Sequence, residues 1–406
     1  MSISTISPFN ISLLWFGAAV SIAEILTGTL LAPLGMTYGL SAILLGHLIG
    51  GLMLFLAGFI GADRQCTSAE SINLFFGKFG SAVFSALNII QLIGWITILI
   101  IIGSEAVNFI TASLWQMTSH SFIWTAVLGL TPCIWIFFRG KFINNMNRLI
   151  MLCLLIVSLW LGFNSLFGEN LYNAPPEGSI SFGAAIELNV VMCLSWLPVI
   201  SDYTRKLQHR MIGTFCSASA YCLGSSLMFA IGLGSAVHFH TAGICDIFSM
   251  SGLGIIALIV ILLSTVTTNF VPTNSASLCF KYLFPHIDTK IIFIVICLVS
   301  IFLACFFSIQ QYENFLYFIG ASFAPLFAIS FSEFFLIKNS TEQNDKIIIK
   351  NCLLWLLGFI IYENLIDYTT FVGITFPVML GIAVFNLLVS RLLGHGFFSL
   401  KKFITR

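Results

Sequence analysis

The chain has 406 residues, of which 58% are hydrophobic and only 8% charged, with a net charge of +1 and a mean hydropathy of +1.02. Soluble domains carry about 25% charged residues, so this composition excludes a soluble enzyme and describes a helical integral membrane protein. The near-zero net charge gives no electrostatic footprint for nucleic acid, and the 11 cysteines lie singly in apolar segments without C-x-x-C or His/Cys clusters, so neither a disulfide framework nor a metal site is supported.

Apolar segments of bilayer length run 11–37, 39–62, 80–111, 122–138, 148–168 and 179–201. Six more run 211–238, 251–280, 290–308, 312–337, 347–363 and 367–392, which makes twelve spans. The first segment is too long for a signal-peptide core and lacks a basic flank. All 17 basic residues fall in alternate loops or at the C-terminus, among them Arg64, Lys78, Arg139, Lys141, Arg148, Arg205, Lys281, Lys350 and Arg391. By the positive-inside rule both termini are then cytoplasmic. The loops near 63–79, 168–179 and 338–350 are too short to bury a core, so the chain is a single membrane domain without a catalytic appendage.

Span one, WFGAAVSIAEILTGTLLAPLG, breaks the rules for a simple anchor. A carboxylate at mid-membrane costs roughly 2.5–3.5 kcal/mol, so Glu24 is expected to face protein, water or a ligand. The Thr27-Gly28-Thr29 run and Pro33, which cannot donate to the Thr29 carbonyl, predict a discontinuous helix broken there. In span two His47 is lone. In span three Asn88, Gln91, Trp95 and Glu105 share an arc of roughly 100°, the wall of a polar cavity or a seam between helices.

Span six ends SWLPVISDYTR. Pro198 withdraws the donor for the Leu194 carbonyl and predicts a second break beside Trp196. Glu187 suits an interhelical contact at least as well as a ligand, and Asp202 suits a short-range pair with Arg205 or a helix C-cap. Span eight carries STVTTNFVPTNSAS. Ser264, Thr267 and Thr268 cluster on one side, and Pro272 frees the Thr268 carbonyl. Clustered hydroxyls and freed carbonyls suit a hard monovalent cation such as Na⁺; back-bonding to the preceding turn is the plain alternative. Breaks five spans apart suggest inverted repeats over about 11–168 and 179–337, with 347–392 appended. Pro325 and Pro377 need only kinks.

WFGAAVSIAEILTGTLLAPLG, SWLPVISDYTR and TVTTN, in spans one, six and eight, resemble the nucleobase:cation symporter-1 family, and within it the CytX-type hydroxymethylpyrimidine transporters. The likeness covers essentially the whole chain. It implies a five-plus-five inverted-repeat fold, all-α with twelve helices, that binds a flat heterocycle between spans one, three, six and eight. Trp95 matches the family's aromatic of span three. Thr267 and Thr268 match its cation-binding hydroxyls, Ser264 the carbonyl one turn earlier, and Asn269 the following asparagine. Ala23 and Leu26 are the expected carbonyl ligands of span one. Two departures stand out: Leu99 replaces a substrate-bonding glutamine, and the second stacking position falls on Cys193, with Trp196 three residues on.

The expected substrate site is therefore Glu24, Thr27, Gly28, Gln91, Trp95, Cys193, Trp196, Asn269 and Asn274. Glu24 is the residue nominated for the amidine-like edge of an aminopyrimidine; proton coupling and a structural hydrogen bond are its competing roles. The expected activity is import of a pyrimidine-type base, hydroxymethylpyrimidine first, coupled to Na⁺ or H⁺ in the cytoplasmic membrane. No cofactor, nucleic acid or obligatory protein partner is expected. A cytosine permease or an amino-acid or amine carrier of the same fold is the alternative. A membrane-embedded enzyme lacks a constellation, since His238 and His240 have no acidic partner within a turn, and no filter-like repeat supports a channel.

Overall fold

The computed structural model describes residues 6–116, 121–137, 141–166, 178–252, 254–337, 345–368 and 370–393. The loop at 338–344, most of that at 168–179, and the basic residues Arg139, Lys338, Lys401, Lys402 and Arg406 lie outside them. Span one is broken, as predicted, but at a different point. Helix α1 (Pro8–Ala19) stops at Val20, and α2 (Ile22–Leu30) restarts at a 54° angle to it. Ser21 makes the restart possible: its hydroxyl caps α2 by accepting from the Glu24 N–H at 3.4 Å. The Thr27-Gly28-Thr29 run stays helical inside α2. Thr27 and Thr29 donate back to the carbonyls of Ala23 and Leu26, both at 2.8 Å, so their polarity is absorbed locally.

Gly28 has a packing role. A Cβ placed there would sit 2.3 Å from the Phe229 carbonyl oxygen, and one on Gly232 would sit 2.0 Å from that of Ile25. The two glycines let α2 and the facing helix cross backbone to backbone, the small-residue device of membrane helix packing. Pro33 lies in a short 3₁₀ turn, Ala32–Leu34, that leads directly into α3 (Gly35–Arg64).

The long α4 (Ser68–Trp115) bends at Gly77, whose φ of 66° is open to glycine, and predicted span three is its part beyond the bend. Then come α5 (Ser121–Phe137) and α6 (Lys141–Leu166). Span six is α7 (Phe182–Leu194) and α8 (Leu197–Thr204), broken at Ser195–Trp196 beside Pro198 as expected. The first helix of each broken span has similar length, 12 residues in α1 and 13 in α7. The outer ends of α1 and α8 lie together, because Ile6 N–H donates to the Lys206 carbonyl at 2.9 Å and Gln208 N–H to that of Ile6 at 3.3 Å.

The second half continues with α9 (Arg210–Phe239), the short α10 (Ile244–Met250), α11 (Gly254–Thr268), α12 (Phe270–Leu283), α13 (Thr289–Phe306), α14 (Tyr312–Phe335), α15 (Asp345–Leu365) and α16 (Thr375–Leu392). Among the described residues nine helices are long and apolar enough to cross a bilayer, ten if α1 and α2 count as one span. The other two predicted spans fall on α5, of 17 residues, and on the α11–α12 pair, of 15 and 14 residues. Around α9 the packing is densest: it runs against α1, α2, α3 and α6, while α3 also lies along α7. The outside is apolar. Leu44, Leu48 and Leu52 form an exposed stripe on α3, and Ile291, Leu298, Phe302 and Phe306 do so on α13, a surface suited to lipid and not to water.

Two buried carboxylates fix the α15–α16 hairpin. Glu187 on α7 accepts from the Tyr362 hydroxyl, from Thr375 Oγ1 at 2.5 Å, and from the N–H groups of Ile374 and Thr375 at 2.6 and 2.8 Å. It therefore sits at the N-terminus of α16, where helix N–H groups favour an anion, and is an interhelical tie. At the other end Lys350 Nζ pairs with Glu333 Oε1 at 2.7 Å and donates to Ser390 at 2.8 Å. Lys350 is thus a buried residue of α15, not the loop residue its charge suggested. Asp202 differs too: its Oδ1 accepts the Ser68 N–H at 2.9 Å and caps α4, while Arg205 turns to the Asp202 carbonyl at 3.3 Å.

Gly28→Ala forces a methyl into the Phe229 backbone and should cost about 1–3 kcal/mol, the usual range for overpacking. It should lower the thermal unfolding midpoint in detergent, while Gly381→Ala, with nothing within 4 Å, should leave it in place. Equal midpoints for both variants would contradict the crossing.

Candidate substrate and cation site

The site starts from the two breaks. At the second, the helix ladder skips a bond: Pro198 has no N–H, and Val199 N–H turns back to the Trp196 carbonyl at 3.0 Å. The Ser195 carbonyl accepts instead from Gln91 Nε2 of α4 at 2.9 Å. One turn further along α4, Trp95 packs edge-to-face on Phe315 and Tyr312 of α14, with ring centroids 5.3 and 6.0 Å apart. Tyr312 reaches Thr27 of α2, hydroxyl to hydroxyl at 2.7 Å. Thr27 spends its own hydrogen on the Ala23 carbonyl, so Tyr312 is the donor.

From the break the contacts continue the other way. Trp196 packs edge-to-face on Trp15 of α1 at 5.5 Å and on Tyr221 of α9 at 5.9 Å. Tyr221 donates to Glu24 Oε1 at 2.7 Å. Glu24 and Thr27 share α2, so the contacts close into a ring through α2, α14, α4, the α7–α8 break and α9. Trp95 and Trp196 are half-buried members of it, whereas Glu24, Thr27, Gln91, Trp15 and Tyr221 are buried.

Glu24 has a second partner. Ser225 Oγ donates to its Oε2 at 2.7 Å and lies 2.6 Å from His47 Nε2, while His47 Nδ1 lies 2.9 Å from the Ile43 carbonyl. His47 is therefore not lone. A carbonyl only accepts, so Nδ1 carries a hydrogen. Ser225 has one hydrogen for two neighbours, and the second must come from Glu24 or from His47 Nε2. The carboxylate thus has both oxygens engaged by α9 and is joined to α3 through a serine.

Five expected substrate residues meet in this ring: Glu24, Thr27, Gln91, Trp95 and Trp196. Others sit elsewhere. Gly28 is at the α2–α9 crossing, and Cys193 is fully buried against Gly50 of α3, where an added Cβ would meet its Cβ at 2.6 Å. Asn274 is half-buried on α12; Glu105, expected only as part of the span-three polar face, is exposed. Asn269, at the junction of α11 and α12, is fully buried with neither amide atom hydrogen-bonded among the described residues.

Of the expected cation ligands, Ser264 is buried and Thr268 half-buried on α11, which packs on α2; the Thr267 side chain lies outside the described residues. The Ala23 and Leu26 carbonyls already accept the hydroxyls of Thr27 and Thr29. Each carbonyl keeps a second lone pair, and hydroxyl and carbonyl oxygens are the donor type that a hard monovalent cation takes. Among the described residues no group of three or more His, Cys, Asp or Glu could hold a metal ion.

Sequence reading missed Trp15, Tyr221, Ser225 and Tyr312. Tyr221 and Ser225 are one turn apart in span seven, a polar pair that signals a facing helix. Trp15 opens the span-one motif, and Tyr312 was read only as the edge of span ten.

A family model described as permease for cytosine/purines, uracil, thiamine, allantoin matches residues 3–403. Cytosine permease of Escherichia coli strain K12 is 24% identical over 354 residues, covering 86% of this chain and 70% of the permease; that of E. coli O157:H7 matches to the same extent. In fold, the inward-facing conformation of Mhp1 superposes with a TM-score of 0.79 at 18% identity, over 97% of this chain and 92% of that one. A closed conformation of Mhp1, a nucleobase-cation-symport-1 family transporter with bromovinylhydantoin bound, gives 0.76 at 18% identity, over 96% and 93%.

Ser225→Ala strands Glu24 Oε2 and His47 Nε2 in the interior, which should cost about 1–3 kcal/mol. The thermal midpoint in detergent should fall well below that of Ser217→Ala, whose hydroxyl only back-bonds to the Gly213 carbonyl. Matching midpoints would mean the serine bridge is not formed.

Proposed function

The chain belongs to this permease family, the nucleobase:cation symporters, and on that premise we propose that it imports a pyrimidine-type base, hydroxymethylpyrimidine first among them, by cation symport across the cytoplasmic membrane. The observation that carries the reading is the ring itself. A half-buried indole, Trp95, stands one turn from a buried amide on α4, and across the ring Trp196 stands at the break in span six. A flat heterocycle needs a stacking face and a polar edge, and these supply both. Glu24, Thr27, Gln91, Trp95 and Trp196 are the residues assigned to the substrate, together with Asn269 at the α11–α12 junction and Asn274 of α12. Cytosine is the second candidate, favoured by the E. coli cytosine permeases among the relatives.

Ser264, Thr267 and Thr268, with the Ala23 and Leu26 carbonyls, are the ligands assigned to Na⁺. A proton has its own candidate place, the hydrogen shared along Glu24, Ser225 and His47. The positive-inside pattern puts both termini in the cytoplasm. Residues 11–168 and 179–337 form the inverted repeats, and 347–392 the appended hairpin. The reading is of a carrier and not an enzyme.

Uptake of radiolabelled hydroxymethylpyrimidine into proteoliposomes tests it, with an inward Na⁺ gradient or an inward H⁺ gradient imposed separately. Na⁺-stimulated uptake that is lost in Thr268→Ala supports substrate and ion site together. Trp95→Ala should weaken apparent affinity by roughly tenfold or more, since base–aromatic stacking is worth about 1–3 kcal/mol. Uptake driven by H⁺ alone moves the coupling to Glu24, and no uptake under either gradient by folded protein rejects the substrate.

A further inference from the structure

Gln91 is a side chain with one valence left open. Its Nε2 donates twice, to the Ser195 carbonyl at 2.9 Å and to Asn88 Oδ1 at 3.0 Å. Its Oε1 is buried and has no hydrogen-bond partner among the described residues. Amide orientation is normally ambiguous, but here the neighbours decide it. A peptide carbonyl accepts and never donates, so the atom facing Ser195 must be the nitrogen. Turning the amide over would set two oxygens against each other. Asn88 is oriented in turn by the Gln91 nitrogen that its Oδ1 accepts from, and its Nδ2 lies 3.3 Å from Cys279 Sγ.

The lock follows from the break in span six. Pro198 cannot donate, and the turn at Trp196 diverts Val199, which leaves the Ser195 carbonyl to be satisfied from outside its helix. Gln91 fills that role with its nitrogen and keeps only an acceptor uncommitted. It stands one helical turn from Trp95.

We propose that Gln91 Oε1 is a specificity-determining acceptor that selects bases presenting an N–H donor, the exocyclic amine of an aminopyrimidine, on the edge that faces α4. This rests on reading the ring as the base site. An uncharged acceptor that is buried without a partner penalises the empty ring and rewards a ligand that supplies the hydrogen. A site built to bond a donor rejects the analogue lacking it far better than an apolar pocket rejects an extra group. Thr27 and Glu24 already accept from Tyr312, Tyr221 and Ser225, whereas Gln91 Oε1 has no donor among the described residues.

The test is a pair of ligands of one shape, 4-amino-2-methylpyrimidine and 2,4-dimethylpyrimidine, in which a methyl replaces the amine. Binding to the detergent-solubilised full chain is followed by quenching of tryptophan fluorescence. Wild type should prefer the amine by at least about tenfold, and Gln91→Met should bring the two within about threefold of each other. Equal binding of the pair by wild type overturns the assignment and needs no variant, so it holds even if Gln91→Met does not fold. An undiminished preference in folded Gln91→Met overturns it as well. Failure of wild type to bind either compound overturns the base-site reading underneath, and is distinguishable from both.

Discussion

A peptide group released at a helix break inside a membrane has no solvent to turn to, and the protein must supply its partner. That constraint organises this molecule. At the first break Ser21 caps the Glu24 N–H, and at the second Gln91 answers the Ser195 carbonyl. Each solution draws in a neighbouring residue that carries chemistry. Capping by Ser21 sets Glu24 in the first turn of α2, facing α9, and the bond to Ser195 fixes Gln91 one turn from Trp95.

The same constraint explains why the polar residues of the interior are tied across helices. Glu24 joins α2 to α9 and, through Ser225, to α3; Glu187 joins α7 to the hairpin α15–α16; Glu333 joins α14 to α15. The ties differ in kind. Glu187 gathers N–H and O–H donors at the start of a helix and makes a fixed joint. Lys350 and Glu333 form a buried ion pair, in which removing one partner strands the other at a cost of about 3–5 kcal/mol. The Glu24 chain has hydroxyl and imidazole groups whose hydrogens can be redistributed, and it borders the aromatic ring through Tyr221. A carrier needs rigid joints and a site that can rearrange, and here the two kinds of tie are built on different carboxylates of different helices.

Much of this was legible in the sequence because the bilayer imposes a coarse grammar. Apolar length gave most of the spans, and Pro198 beside Trp196 gave the second break. The first break was misplaced at Thr27-Gly28-Thr29. Helix-breaking residues were visible there, but their causes were local: threonine hydroxyls bonding the preceding turn, and a glycine making room for Phe229. The true break at Val20–Ser21 rests on a single capping serine, a weak signal in an apolar run. Partners from distant helices were invisible. Tyr221 and Tyr312 lie 197 and 285 residues from the α2 side chains they bond, and only the fold brings them together. Cys193, reached by counting along the family motif, faces Gly50, while Trp196, three residues on at the turn, is the side chain that meets Trp15 and Tyr221.

The central claim is that a planar base lies within the ring bounded by α2, α4, the α7–α8 break, α9 and α14. The most direct measurement is an experimental structure of the full chain in lipid nanodiscs with hydroxymethylpyrimidine or cytosine bound. The account predicts ring-shaped density stacked on the Trp95 indole, with one edge toward Gln91. Density for the base outside that ring, with Trp95 still packed on Tyr312 and Phe315, would contradict it.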